Sequence, residues 1–335
     1  MTHPNPESTA PPDPTVVTVV LNWNGCADTL RCLNSLTAAC PEQPSVLVVD
    51  NGSTDDSVAE IRARYPQVEV IETRRNLGYA GGNNVGIKRA LDTGAEYVFV
   101  LNNDTEAEPG LFNALLETAA QDPKTAAIGP VICSAHEPDL ISTAGERFGP
   151  GLLNCVHHLE GAPRSALPST PWIDCDWVTG AAILLRADAL REIGLFEERF
   201  FLVWEESDWC LRARRAGYNS RVCTAAFVRH KVAATFGGED SPLRAYFSAR
   251  NQLLFAERHL PRREWLTLVF AALRRLVPKV AWTSSPGTGP VRRVYWALKD
   301  AILLWKSPRQ RALRQATRDY LFRRFGDCPP SIRMR

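Results

Sequence analysis

Five apolar residues, Tyr97-Val98-Phe99-Val100-Leu101, run without alternation into the polar tetrad Asn102-Asn103-Asp104-Thr105. An unalternating apolar run predicts a parallel strand covered on both faces, and open α/β sheets bind ligands just beyond the carboxyl ends of such strands. Asp104 then stands at a ligand-binding edge. A carboxylate with the amides Asn102 and Asn103 beside it offers hard oxygens to Mg²⁺ or Mn²⁺, and such a cation can grip a diphosphate. Taken alone, the same residues also read as an Asn/Asp turn closing a strand.

The chain before this run repeats the arrangement. Residues 16–21 (Val-Val-Thr-Val-Val-Leu) form a β-branched run, followed by Asn22-Trp23-Asn24-Gly25 and a helical spacing of Leu30, Leu33 and Leu36. Residues 46–49 end in Asp50-Asn51-Gly52-Ser53-Thr54-Asp55, after which Val58 and Ile61 open a second helix. A short third strand over 68–71 leads into Arg75-Asn76-Leu77-Gly78-Tyr79-Ala80-Gly81-Gly82-Asn83-Asn84, read as a turn feeding a helix over 85–91. Repeated βα units imply a parallel sheet whose polar loops gather on one edge, a cleft suited to a nucleotide. The glycine turn matches neither the dinucleotide fingerprint nor the P-loop, so it is either a tight turn or a ligand contact.

Beyond Asp104 the expectation is a helix over 111–120, a short apolar segment over 128–132, and a Pro/Gly-rich surface excursion from about 134 to 171 with room for a hairpin. Buried character resumes at Trp177-Val178-Thr179-Gly180-Ala181-Ala182, where small residues admit a backbone or a flat ligand. Glu205-Glu206-Ser207-Asp208 follows the aromatic run Phe200-Phe201-Leu202-Val203-Trp204. Helix capping accounts for Ser207 and Asp208. Two further acids against apolar residues suit a general base instead, since desolvation and mutual repulsion raise one pKa. His230 ends another short strand and is placed to join Asp104 in a metal site.

Charge is unevenly divided. Residues 241–335 hold 20 Lys and Arg against 5 Asp and Glu, a net +15, whereas the first 240 hold 19 against 32, a net −13. In the tail, Val291, Val294, Tyr295, Leu298, Ala301, Ile302 and Trp305 share one helical face, with Arg292, Arg293, Lys299 and Lys306 off it. A second basic helix is expected over 309–325. The expectation is a tail lying on an anionic membrane surface; the competing reading is that these helices cover the acidic body. No motif supports nucleic acid as a partner. The nine cysteines include no Cys-x-x-Cys pair and read as core thiols of a reducing compartment. The proline-rich residues 1–14 lack an apolar signal core and are expected to be a disordered leader.

Five ordered motifs, residues 49–55, 76–84, 101–104, 177–181 and 205–212, together resemble family 2 glycosyltransferases, most closely the rhamnosyltransferase branch. The resemblance covers roughly residues 15–255 and implies an α/β GT-A fold there, a Rossmann-like, mostly parallel sheet flanked by helices, with residues 256–335 as a basic helical extension. It implies an inverting transfer of a sugar, rhamnose by the branch, from a dTDP- or UDP-linked donor to a hydroxyl of a glycan or lipid-linked acceptor in envelope or polysaccharide synthesis. A divalent cation, Mg²⁺ or Mn²⁺, is implied with it; a homodimer is admitted. The place of work would be the cytoplasm, at the inner face of the cytoplasmic membrane. By position, Leu21, Trp23, Asp50 and Asn51 would line the nucleobase and ribose pocket with Arg75 and Asn76 close by, and Asn103, Gly180 and Glu205 would border the donor or substrate. Asn102 and Asp104 stand in the family's Asp-x-Asp signature, leaving one carboxylate for the metal with His230. Glu206 holds the place of the catalytic base, with Glu205 beside it. A sugar-1-phosphate nucleotidyltransferase would want a Gly-rich basic loop after the first strand, where Asn22-Trp23-Asn24-Gly25 stands instead. A non-catalytic nucleotide-sugar binder would have no need of Glu206.

Overall fold

The computed structural model describes residues 15–39, 45–149, 152–231, 241–277 and 305–333. The expected leader over 1–14, and the apolar tail face from Val291 to Ile302, lie outside the described residues. Strands β1 (Val16–Asn22), β2 (Ser45–Asp50), β3 (Glu69–Glu72) and β4 (Tyr97–Asn102) alternate with helices α1 (Cys26–Ala39), α2 (Ser57–Arg64) and α3 (Gly78–Asp92). They pair in parallel in the order β3-β2-β1-β4. The apolar runs of β1, β2 and β4 are buried on both faces by the period-2 rule, whereas β3 at the edge is exposed or half-buried. Val17, Val19, Val98 and Val100 pack under α3, and Val16, Val20, Phe99 and Leu101 pack against α1 and the later helix α4 (Leu111–Ala120).

Beyond β4 the sheet becomes mixed. The chain continues through β5 (Thr105–Ala107), β6 (Thr125–Ser134), β7 (Ile141–Thr143), β8 (Glu146–Phe148), β9 (Cys155–His157), β10 (Trp172–Cys175), β11 (Ala182–Arg186), α5 (Ala187–Ile193), α6 (Glu205–Arg215) and β12 (Asn219–His230). Strand β11 lies antiparallel between β4 and β6, while β12 runs parallel to β6 and antiparallel to β5 and β10. The expected short strand ending at His230 is therefore the last third of a 12-residue strand. The excursion over 134–171 does contain a hairpin, β8–β9, yet it also buries Ile141, Thr143, Ala144 and Glu146 against the main sheet.

The glycine turn is not a turn. Its residues are already helical from Gly78, because Asn51 Oδ1 accepts from the Leu77 N–H at 2.9 Å and Asn76 Oδ1 from the Gly78 N–H at 2.8 Å, satisfying amides at the helix start. A Cβ on Gly86 would stand 2.3 Å from Val19 Cγ1, and one on Gly82 2.5 Å from Leu21 Cδ1. The glycines let α3 lie against β1 and are packing residues.

Three more helices complete the described chain: α7 (Pro242–His259), α8 (Arg262–Leu273) and α9 (Pro308–Leu321), with a final turn α10 (Pro330–Arg333). Helix α7 continues four residues past the boundary drawn at 255. The expected basic helix over 309–325 corresponds to α9, which packs on α7. Ala312 and Ala316 meet Ala245, Ala249 and Phe247, and Tyr246 Oη donates to buried Asp319 at 2.8 Å. No described helix is long and apolar enough to cross a membrane.

Candidate functional site

The carboxyl ends of β1, β2 and β4 meet where the sequence places its polar loops. Asn22 Nδ2 donates to Asp50 Oδ1 at 2.9 Å, and Asp50 Oδ2 accepts from the Ser53 N–H at 3.0 Å. Asn51 Nδ2 reaches Asn76 Oδ1 at 3.2 Å and the Gly78 carbonyl at 3.0 Å. Asp50 and Asn51 are thus buried braces that join the loops after β1, β2 and β3. Leu21 is half-buried, while Trp23 and Arg75 are exposed on the same rim. The Arg333 guanidinium lies 4.8 Å from the centre of the Trp23 ring, so α10 reaches this rim.

Asp104 and His230 are brought together as expected. The antiparallel pairing of β5 with β12 sets His230 opposite Thr105, and His230 Nε2 lies 3.1 Å from Asp104 Oδ1. Asn102 and Asn103 flank the pair, Asn103 Nδ2 donating to Thr29 Oγ1 at 2.9 Å. No cluster of three or more His, Cys, Asp or Glu side chains suited to a metal occurs among the described residues. One carboxylate and one imidazole, half-buried at a strand edge, fit Mn²⁺ or Mg²⁺ when a diphosphate and water complete the coordination.

The acid pair opens α6, and the capping reading is corrected here. The residue preceding the helix is Trp204, with no side-chain cap. Asp208 is instead a fully buried anchor, bound to Arg258 at 2.6 Å, His259 at 2.8 Å and Arg212 at 2.9 Å. Burial alone would push its carboxyl up, yet the His259 and Arg258 hydrogen bonds and the neighbouring arginine charges hold it at about 2. Glu205 is buried, and burial, then the neighbouring Glu206 charge, lifts its carboxyl well above the ordinary range. Glu206 is half-buried. Burial raises it to about 7, with the Glu146 carboxylate adding to the rise and backbone amides, that of Gly180 among them, opposing it. The pair titrates jointly, with the inner acid favouring its protonated form and the outer one able to take a proton near neutrality.

Three participants escaped the sequence reading. Tyr79 donates its hydroxyl to the Gly180 carbonyl, and burial, then the Glu205, Glu206 and Asp104 charges, push its phenol well above the ordinary range. Glu146 is 2% exposed, and its Oε2 has no hydrogen-bond partner. Asn251 on α7 donates to the carbonyls of Phe200, Leu202 and Val203 at 2.7 to 2.9 Å, holding the loop that leads into Glu205. Only their long sequence separations join them to the site, and no local pattern marks those.

A model of glycosyl transferase family 2 matches residues 15–194. The chain belongs to this family. The glycosyltransferase is 31% identical over 250 residues to an N-acetylglucosaminyl-diphospho-decaprenol L-rhamnosyltransferase of Mycobacterium tuberculosis, covering 68% of this chain and 80% of that protein. It is 24% identical over 255 residues to the dTDP-rhamnosyl transferase RfbF of Shigella flexneri, covering 73% and 81%. Among solved structures it resembles GalNAc-T7 with UDP, GalNAc and Mn²⁺, with a TM-score of 0.61 and 14% identity, over 87% of this chain and 56% of that one. It also resembles the mannosyltransferase PcManGT of Pyrobaculum calidifontis in complex with GDP-Man and Mn²⁺, with a TM-score of 0.55 and 15% identity, over 93% and 88%. The fold of this glycosyltransferase is GT-A.

Proposed function

We propose that the enzyme transfers rhamnose, with inversion, from a dTDP-linked donor to a hydroxyl of a lipid-linked glycan at the inner face of the cytoplasmic membrane. The observation that carries this reading is that one phenol, Tyr79, feels the charges of both Asp104, paired with His230 at 3.1 Å, and Glu206, half-buried and raised to about 7. The two rhamnosyltransferase relatives supply the donor sugar and the lipid-linked acceptor.

In the proposed step, the Glu206 carboxylate accepts the proton of the acceptor hydroxyl as that oxygen attacks the anomeric carbon. The bond from that carbon to the diphosphate oxygen breaks, and the nucleoside diphosphate leaves with the electron pair. Asp104 and His230 would hold the divalent cation, which when bound neutralises charge on the leaving diphosphate. Trp23 and Arg75 offer a stacking face and a cation to the nucleotide, and Glu205, neutral beside Glu206, leaves the outer acid as the base.

The test is Mn²⁺-dependent hydrolysis across a panel of nucleotide sugars, repeated with Asp104→Ala. dTDP-rhamnose should be the preferred donor, and the variant should lose metal-dependent donor binding while its melting temperature stays near wild type. Donor binding that ignores Asp104 would sink the metal assignment.

A further inference from the structure

A second basic site lies outside the cleft just described. Helix α7, the turn Arg274–Leu276 and the start of α9 enclose a cavity of about 250 Å³ with Trp204 as one wall. Arg244, Ser248 and Gln252 fall four residues apart on one face of α7, and Arg275 and Arg309 converge from the other two elements. Three guanidinium groups and two neutral hydrogen-bonding side chains line the cavity, and no carboxylate does so among the described residues.

Arg275 makes the arrangement informative. Its Nη1 is buried with no hydrogen-bond partner among the described residues, and burial lowers its pKa. A buried guanidinium N–H left unpaired beside further arginines is costly unless an anion completes it. The place of the cavity says which anion. Trp204 stands two residues before Glu206, on the loop that leads into α6, and none of Asp50, Asn51, Asp104 or His230 lines it. Helix α8, which ends at Leu273 just before that turn, carries an apolar stripe of Leu266, Phe270 and Leu273, with Phe270 63% exposed and the two leucines half-buried, and Val277 beyond the turn is 62% exposed. An apolar stripe running into a cationic pocket complements an amphiphile with a phosphorylated head.

We propose that the pocket at Arg244 and Arg275 binds the phosphate or diphosphate through which the acceptor sugar is joined to a lipid carrier, with the α8 stripe against the carrier chain. This rests on the reading of the enzyme as a transferase to a lipid-linked acceptor and assigns that substrate a second point of attachment. Held at both ends, the acceptor hydroxyl would meet Glu206 without free rotation about its carrier bond.

The same phosphate chemistry is offered by bulk phospholipid headgroups, and the experiment separates the two. Full-length protein is titrated with inorganic pyrophosphate in the presence of EDTA, which silences the metal pair. Wild type should bind, the double variant Arg244→Gln/Arg275→Gln should bind about tenfold or more weakly, and Arg275→Lys should keep much of the affinity. Mn²⁺-dependent donor hydrolysis should stay within about twofold in all three proteins, since none of these residues touches the donor side. It also reports on folding. A wild type that ignores pyrophosphate, or a double variant that binds it unchanged, overturns the pocket. Flotation with phosphatidylglycerol vesicles gives the other arm: binding that requires Arg275 and is not displaced by saturating pyrophosphate would assign the pocket to bulk headgroups and overturn the acceptor. Loss of donor hydrolysis in wild type would refute the transferase reading and leave the pyrophosphate result standing.

Discussion

Glu205 and Glu206 are adjacent and chemically identical, yet their surroundings shift them differently, the first well above the ordinary carboxyl range and the second to about 7. Replacing Glu206 with Gln should lower kcat by about 10²-fold or more while leaving donor KM nearly unchanged, because a general base acts only in the transition state. Wild-type kcat should rise with pH through about 7, the value to which burial lifts the Glu206 carboxyl, and fall away in acid as the base becomes protonated. A profile flat between pH 5 and 8 would remove Glu206 from the role. Glu205 is expected to show itself in stability instead. Its folded pKa lies above its unfolded one, so above the ordinary carboxylate range the native state holds a proton that the unfolded chain has released, and stability falls as pH rises. Glu205→Gln removes that cost. Its melting temperature should match wild type near pH 4 and exceed it increasingly toward neutrality, with a smaller loss of kcat than Glu206→Gln.

At the scale of elements, the loop between the turn Glu198–Phe200 and α6 carries the site's strain. Phe201, Val203 and Trp204 have φ of +64°, +63° and +80°, values that side chains bearing a Cβ rarely adopt. The loop is held from both sides: the Phe201 carbonyl accepts from the Tyr79 N–H at 2.6 Å at the start of α3, and Asn251 ties three of its carbonyls to α7. Asn251→Ala should release it. Since a misplacement of about 1 Å can cost 10²-fold in rate, kcat should fall at least about tenfold with donor KM unchanged. Asn251→Gln should not rescue it, because the longer side chain cannot meet three carbonyls in the same geometry. An Asn251→Ala enzyme whose kcat matches wild type would show that the loop holds itself. This element also marks how far the sequence could be read. Strands β1, β2 and β4 were legible because their apolar runs are continuous; Asp104 and Glu206 drew attention because each follows an apolar run, whereas His230 follows Arg229 and had only a short strand segment to mark it. The helical start of α3 was not, since glycine and asparagine signal a turn unless a sheet lies close enough to need small residues. Glu146 and Asn251 were hidden because their partners lie far along the chain, as with Asn251 and the Phe200 carbonyl 51 residues away.

For the whole molecule, the division of charge into an acidic body and a basic tail admitted two accounts, and the described part of the tail bears on the choice. Helix α9 and turn α10 bury Ala312, Ala316, Tyr320 and Ile332 in clusters shared with α7 and the acid loop. Tyr320 donates to Glu257 at 2.7 Å and accepts from the Trp265 indole N–H at 2.7 Å. Fully buried Arg250 directs one arm to the Gly326 carbonyl and the other to the Phe200 carbonyl at 2.9 Å, so one guanidinium joins the tail to the loop before Glu205. Deleting residues 308–335 therefore strips a core, leaves Arg250 short of an acceptor and leaves the Tyr246 hydroxyl without Asp319. Burial of one large apolar side chain is worth about 1.5–3 kcal/mol, and a buried polar group left unpaired costs about 1–3 kcal/mol more. Several such losses together approach the whole stability of an ordinary domain. The truncated protein should aggregate or lose its cooperative thermal transition, and Mn²⁺-dependent donor hydrolysis should disappear with it, although no donor-side strand has been touched. A tail that served the membrane alone would predict the reverse: a soluble, cooperatively folded truncation with full donor hydrolysis and no vesicle binding. Differential scanning calorimetry and donor hydrolysis on the same preparation decide between them, and retention of both signals would show that α9 contributes nothing to holding Glu206 in place.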